Sequence, residues 1–163
     1  RISDIAGRAE VAQGTIYRFF ESKEELAGAL VAEGLATMQD LATKALADAT
    51  AAGEPERALD RFVDAAAASY ARHRSSLKAL HSWTSDVATV SLTEGRTDDL
   101  HRTLDKLVKS AGKRVYRPDG VALPRLLLLL LYSLSAEQEQ YQTKIDHRTV
   151  AKLIKKFLFV EQE

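Results

Sequence analysis

The residues with the most chemistry per position lie in one run, Val11-Ala12-Gln13-Gly14-Thr15-Ile16-Tyr17-Arg18-Phe19-Phe20-Glu21-Ser22-Lys23-Glu24-Glu25-Leu26. Gln13, Thr15, Tyr17 and Arg18 cluster hydrogen-bonding groups in a short stretch. Ile16 and Phe20, four apart, give that stretch an apolar side, with Phe19 next to it. A short helix with one buried stripe and an opposite polar face suits a DNA major groove. The amide of Gln13 can pair bidentately with adenine, and the guanidinium fork of Arg18 with guanine. Gly14 lets a helix backbone approach closely, and Tyr17 and Lys23 suit phosphate oxygens.

Two neighbouring elements must hold such a helix. Ile2, Ile5, Ala6 and Ala9 recur at helical spacing and predict a short helix before it. A break at Glu10 and Val11 makes the pair a helix-turn-helix. On the other side, Ser22 is a good N-cap, and Glu25 three residues on completes a capping box. A helix from Lys23 to about Asp48, carrying Leu26, Leu30, Met38, Leu41 and Ala45, would run roughly 40 Å.

This pattern resembles the DNA-binding signature of TetR-family transcriptional regulators. The residues that carry the resemblance are Asp4-Ile5-Ala6, Val11, Gly14-Thr15-Ile16-Tyr17, Phe20 and Ser22-Lys23-Glu24-Glu25-Leu26, in both order and spacing. Two positions depart from it. Glu10 stands where the family's turn commonly has Gly, which accepts a left-handed backbone at little cost. Ala12 stands where a Ser or Thr hydroxyl commonly caps the recognition helix. The resemblance implies a further helix before Arg1, so the chain is expected to begin inside the motif. It also implies a ligand-responsive repressor that binds a palindromic DNA operator as a homodimer in the cytoplasm. The expected fold is all-α, with a partial helix-turn-helix head over residues 1–33 and a helical ligand-binding and dimerisation body over 34–163.

Composition neither announces nor excludes this. The 163 residues carry no formal net charge, and residues 1–33 hold four Lys or Arg against six Asp or Glu. A net of −2 in the head counts against DNA binding by this segment alone. The competing reading is a helical interaction protein that no longer binds DNA. No cysteine is present, which removes disulfide and thiolate chemistry. The strongest apolar run, Leu126 to Leu131, is too short to span a bilayer, so no membrane partner is expected.

The rest of the chain reads as helices. Pro55 suits the start of a helix that carries Leu59, Phe62, Val63, Ala66 and Tyr70 on one face. A break near His73 to Ser76 precedes Leu77, Leu80, Trp83, Thr84 and Val87. After a polar loop at Thr93 to Arg96 comes the stripe Leu100, Leu104, Leu107, Val108 and Ala111. Pro118-Asp119-Gly120 signals a turn before the last two helices, about Leu123–Gln140 and Arg148–Val160, with Asp146 as N-cap of the second.

The final pair bears a large apolar surface, including Leu127, Leu130, Leu134, Val150, Leu153, Ile154 and Phe157. By residue type alone this surface is either intramolecular core or a seam for a four-helix dimer. The resemblance implies the seam. It also implies an effector pocket in the body, for which Phe62, Tyr70, Trp83 and Leu104 are candidate lining residues. A buried phenol or indole needs a polar partner that a ligand could supply. No cofactor or metal is expected, because no metal-ligand spacing or phosphate loop appears. Without a nucleophile elbow or HExxH motif, an enzyme is not expected either.

Overall fold

The computed structural model describes residues 2–73, 96–112, 115, 122–140 and 146–159, with the side chains of 96 and 132–140 excepted. The described residues form seven helices and no strand. These are α1 (Ile2–Arg8), α2 (Gln13–Tyr17), α3 (Lys23–Ala52), α4 (Pro55–Arg72), α5 (Arg96–Ser110), α6 (Leu123–Gln140) and α7 (His147–Leu158). The expected segments for Leu77 to Val87, Trp83 included, and for the Pro118 turn lie outside the described residues, as does the side chain of Leu134.

The longest element is α3. It starts at Ser22, whose Oγ accepts the Glu25 N–H at 3.0 Å. The return bond of the capping pair differs from expectation, since Glu25 Oε2 accepts from the Glu21 N–H at 2.5 Å and not from Ser22. The helix runs to Ala52, past the expected end, and stops where Gly53 turns left-handed at φ 66°. It passes residue 33 without interruption, so the expected division between head and body cuts a continuous helix.

The buried apolar residues fall into two groups. The body core is built around α4, which packs against α3, α5, α6 and α7. Its face of Ala58, Leu59, Phe62, Val63, Ala66 and Ala67 is buried, and the alanines let neighbouring backbones come close. Leu100, Leu104 and Leu107 of α5, Leu127 and Leu131 of α6, and Val150, Ile154 and Leu158 of α7 complete the core. The head's buried residues, Ile2, Ala6, Leu26 and Ala27, lie outside that cluster.

Polar contacts lock the body helices in register. Gln39 of α3 donates from Nε2 to Thr103 Oγ1 of α5 at 3.1 Å and to Thr43 Oγ1 at 3.0 Å. On α7, Lys155 Nζ donates to Asp60 at 2.9 Å and Asp64 at 2.6 Å, both on α4. Asp146 caps α7 as expected, accepting the Thr149 N–H at 2.7 Å. That bond is the main reason its carboxyl pKa is lowered.

Burial alone would lower the Lys155 pKa, but hydrogen bonds to Asp64 and Asp60 outweigh it and raise it above the ordinary 10.5. A raised lysine pKa means that the folded state holds the proton more tightly, so its contribution is full below pH 10.5 and fades as pH rises through the folded value. Lys155→Met should therefore cost about 0.5–1 kcal/mol at neutral pH, the partners being half exposed. Urea midpoints at pH 7 and pH 11 test this: the difference between variant and wild type should be present at the first and shrink at the second.

Candidate nucleic-acid interface

The turn between α1 and α2 is a Schellman motif. Glu10 N–H donates to Gly7 O at 3.3 Å, and Val11 N–H to Ala6 O at 3.0 Å. Such a motif needs one left-handed residue just past the helix, and here that residue is Glu10, at φ 55°. Among the described residues Glu10 alone has a positive φ without being glycine. The turn thus keeps the geometry that glycine normally provides and carries the strain of a side chain in the left-handed region, about 1–2 kcal/mol.

After the turn, Ala12 is extended at φ −66° and ψ 142° and starts α2 without a side-chain cap. Its carbonyl accepts the Thr15 N–H at 2.8 Å. Ile16 and Phe20 are half-buried and face inward, as their spacing predicts. On the outer side, Gln13, Gly14, Tyr17 and Arg18 are all exposed, whereas Thr15 and Lys23 are half-buried. Space outside Gly14 is open, since a Cβ built there would meet nothing within 4 Å. The protein's own packing does not require a glycine at that position; close approach of an external surface would.

Sequence spacing misplaces one residue. Phe19 was expected beside the apolar side of α2, yet it is 64% exposed. Just past the last helical residue, Tyr17, it is Phe20 and not Phe19 that turns inward. Arg18 stacks over its ring, with Cζ 5.1 Å from the centroid. Two adjacent large side chains at the end of so short a helix are the signal that could have marked the pair.

The outer face offers an amide, a guanidinium, a phenol and an accessible backbone within two helical turns. That combination can hydrogen-bond to base edges and phosphates and has no nucleophile or base arranged for covalent chemistry. Residues 1–30 match the model of a family described as bacterial regulatory proteins, tetR family. The segment is a tetR-family helix-turn-helix. Its function in that family is DNA binding for transcription regulation, so the tetR-type head is that of a DNA-binding transcriptional regulator. No curated protein and no solved structure matches the chain.

Elsewhere the structure sorts the expected site residues by burial. Phe62 and Leu104 are fully enclosed in the body core, packed against other side chains, and Tyr70 is half-buried at its edge. None of the three lines either of two clefts between the described helices. One cleft of about 360 Å³ lies between α5 and the start of α6, lined by His101, Arg102, Asp105, Val108, Leu123 and Pro124 among others. His101 Nδ1 is buried there without a hydrogen-bond partner. Burial, and then the charge of Arg125, lower the pKa of its imidazole. A second cleft, of about 580 Å³, lies between α4 and α7 and is lined by Arg61, Asp64, Ala65, Ala68, His147 and Arg148.

The expected dimer residues also divide. Leu127, Val150 and Ile154 are buried within the chain's own core, where no partner can reach them. Leu130 is half-buried against that core. Leu153 and Phe157 are 49% and 40% exposed on α7, and Leu129 of α6, not singled out by its sequence context, is 59% exposed. The apolar run of α6 is broad enough to serve the core with Leu127 and Leu131 and still leave Leu129 outside. No described helix is long and apolar enough to cross a membrane, and no group of three metal-ligating side chains occurs among the described residues.

The turn chemistry yields a direct test. Glu10→Gly should relieve the left-handed strain, a gain reduced by the added freedom of the unfolded chain, leaving up to about 1 kcal/mol. Ala12→Ser should add the missing cap, about 0.5–2 kcal/mol. Native-state hydrogen exchange of the Val11 and Thr15 amides should slow in both variants. Unchanged exchange would mean that the turn and the helix start carry no such deficit.

Proposed function

We propose that the chain is a ligand-responsive repressor that binds a palindromic operator as a homodimer through α2. The observation that carries this reading is the outer face of α2, where Gln13, Gly14, Tyr17 and Arg18 stand exposed together on a tetR-type helix-turn-helix. Gln13 and Arg18 read base edges, Gly14 admits the backbone, Thr15 contributes from the flank, and Tyr17 and Lys23 hold phosphates. An acidic head limits the non-specific electrostatic component, so affinity rests on these few contacts and on using two heads at once.

Two heads on one face of a duplex must lie about 34–36 Å apart, or a multiple of it. The exposed Leu129, Leu153 and Phe157 support pairing of α6 and α7 with their copies. The rod α3 then transmits control. Gln39 clamps its middle to α5, and the other side of α5 lines the cleft that holds His101. An effector in that cleft shifts α5, moves the body end of α3 and changes the head spacing. Its effect on DNA affinity and the effect of DNA on its own affinity are then equal, about 5–150-fold. Such a regulator acts in the cytoplasm, where its operator lies.

The DNA contacts are tested by two substitutions and a duplex selected from a random pool. Gln13→Ala should relax preference at one base pair per half-site. Lys23→Ala should weaken all duplexes alike and reduce the slope of log affinity against log salt by about one phosphate per head. If neither changed affinity for the selected duplex, the face would be misassigned; if no duplex were selected, the interaction-protein reading would stand.

Pairing is tested by Leu153→Asp. A carboxylate in a dry seam costs several kcal/mol, so sedimentation should show monomer, with duplex affinity lost although the head is untouched. In the monomer, position 153 is exposed and accommodates the charge, which keeps the fold. A dimeric variant would exclude this seam.

A further inference from the structure

We infer that Arg18 and Phe19 act as one unit that reads a guanine flanked by a thymine. The inference rests on the DNA-binding reading above and adds the bases that it selects. The root of the Arg18 side chain is fixed. Its backbone is helical at φ −74° and ψ −24°, and its N–H is held by the carbonyls of Gly14 and Ile16. The tip is biased toward one position as well, because the guanidinium lies over the Phe19 ring at 5.1 Å, within the range of a cation–π contact, a weak one at an exposed site. Among the described residues no carboxylate pairs with Arg18. A planar fork held at its root and biased at its tip gives up less freedom when it docks on guanine O6 and N7.

Phe19 explains the second base. At 64% it is more exposed than Val11, Tyr17 or any of the other large apolar side chains that reach the described surface. A ring in water with a cation on one face still has an edge and a second face to cover. In the major groove the apolar feature available is the thymine C5-methyl. Gly14 lies one turn before Arg18 on the same helical side, with open space outside it. No Cβ therefore holds the helix away from the groove floor, and the Arg18–Phe19 pair can reach base depth. An arginine on guanine and a phenyl ring beside it on a neighbouring methyl together select a two-base step.

The test uses the whole chain and a duplex selected from a random pool. Each half-site should contain a guanine next to a thymine. Replacing that thymine by deoxyuridine removes only the methyl and should weaken wild-type binding about threefold. Replacing the guanine should cost roughly tenfold or more. Phe19→Ala should be indifferent to the deoxyuridine and should lose most of the guanine preference, while Phe19→Leu should keep sensitivity to the methyl and lose guanine preference. Both substitutions are at an exposed position, so the fold is retained. A selected half-site without guanine, a wild type indifferent to deoxyuridine, or a Phe19→Ala protein with undiminished guanine preference would overturn the inference while leaving DNA binding intact. A pool from which the wild type selects nothing would instead remove the DNA-binding reading, and this inference with it.

Discussion

Among the described residues, one uninterrupted helix joins the two ends of this molecule. At 1.5 Å per residue the 30 residues of α3 span about 45 Å. Leu26 and Ala27 at its start are buried with the head, whereas Met38, Ala42, Ala45 and Ala49 further along are buried in the body core. A helix of this length bends only gently unless a proline or bulge interrupts it, and α3 contains no proline. The head therefore cannot change orientation independently of the first turns of α3, nor the body without moving the other end. The five-residue α2 thus sits next to a rod held chiefly by the body.

The two ends differ in how firmly they are built. In the body, α4 touches four other helices and is stitched to α7 through Lys155. The head has four buried apolar side chains, two of them alanine, a strained residue in its turn and an uncapped recognition helix. Hydrophobic burial scales with apolar area, so the head has far less to lose before it opens locally.

Much of this was legible in the residues because local chemistry decided it. The cap at Ser22, the cap at Asp146 and the start at Pro55 each follow from a side chain acting within a few residues of itself. The amphipathic stripes of α4 and α5 were equally clear, since a helix with one apolar face has one way to bury it. What stayed hidden depended on the neighbours. An apolar surface as broad as that of α6 and α7 can meet its own chain or a copy, and only the packed fold separates Val150 and Ile154 from Leu153 and Phe157. Composition cannot distinguish an apolar wall around a ligand from one around other side chains, and Phe62 and Leu104 lie in the buried core. Of the adjacent Phe19 and Phe20, residue type alone does not tell which turns inward, and the packed head takes Phe20.

The proposal at the centre of this account is that the outer face of α2, with Lys23 at the start of α3, meets DNA. Amide chemical-shift mapping tests it most directly: the isotope-labelled chain is titrated with a duplex selected from a random pool. The account predicts the largest perturbations at Gln13, Gly14, Tyr17, Arg18 and Phe19, with smaller ones along the first turns of α3. Perturbations centred on the surfaces of α4 to α7, with the α2 amides unmoved, would contradict it.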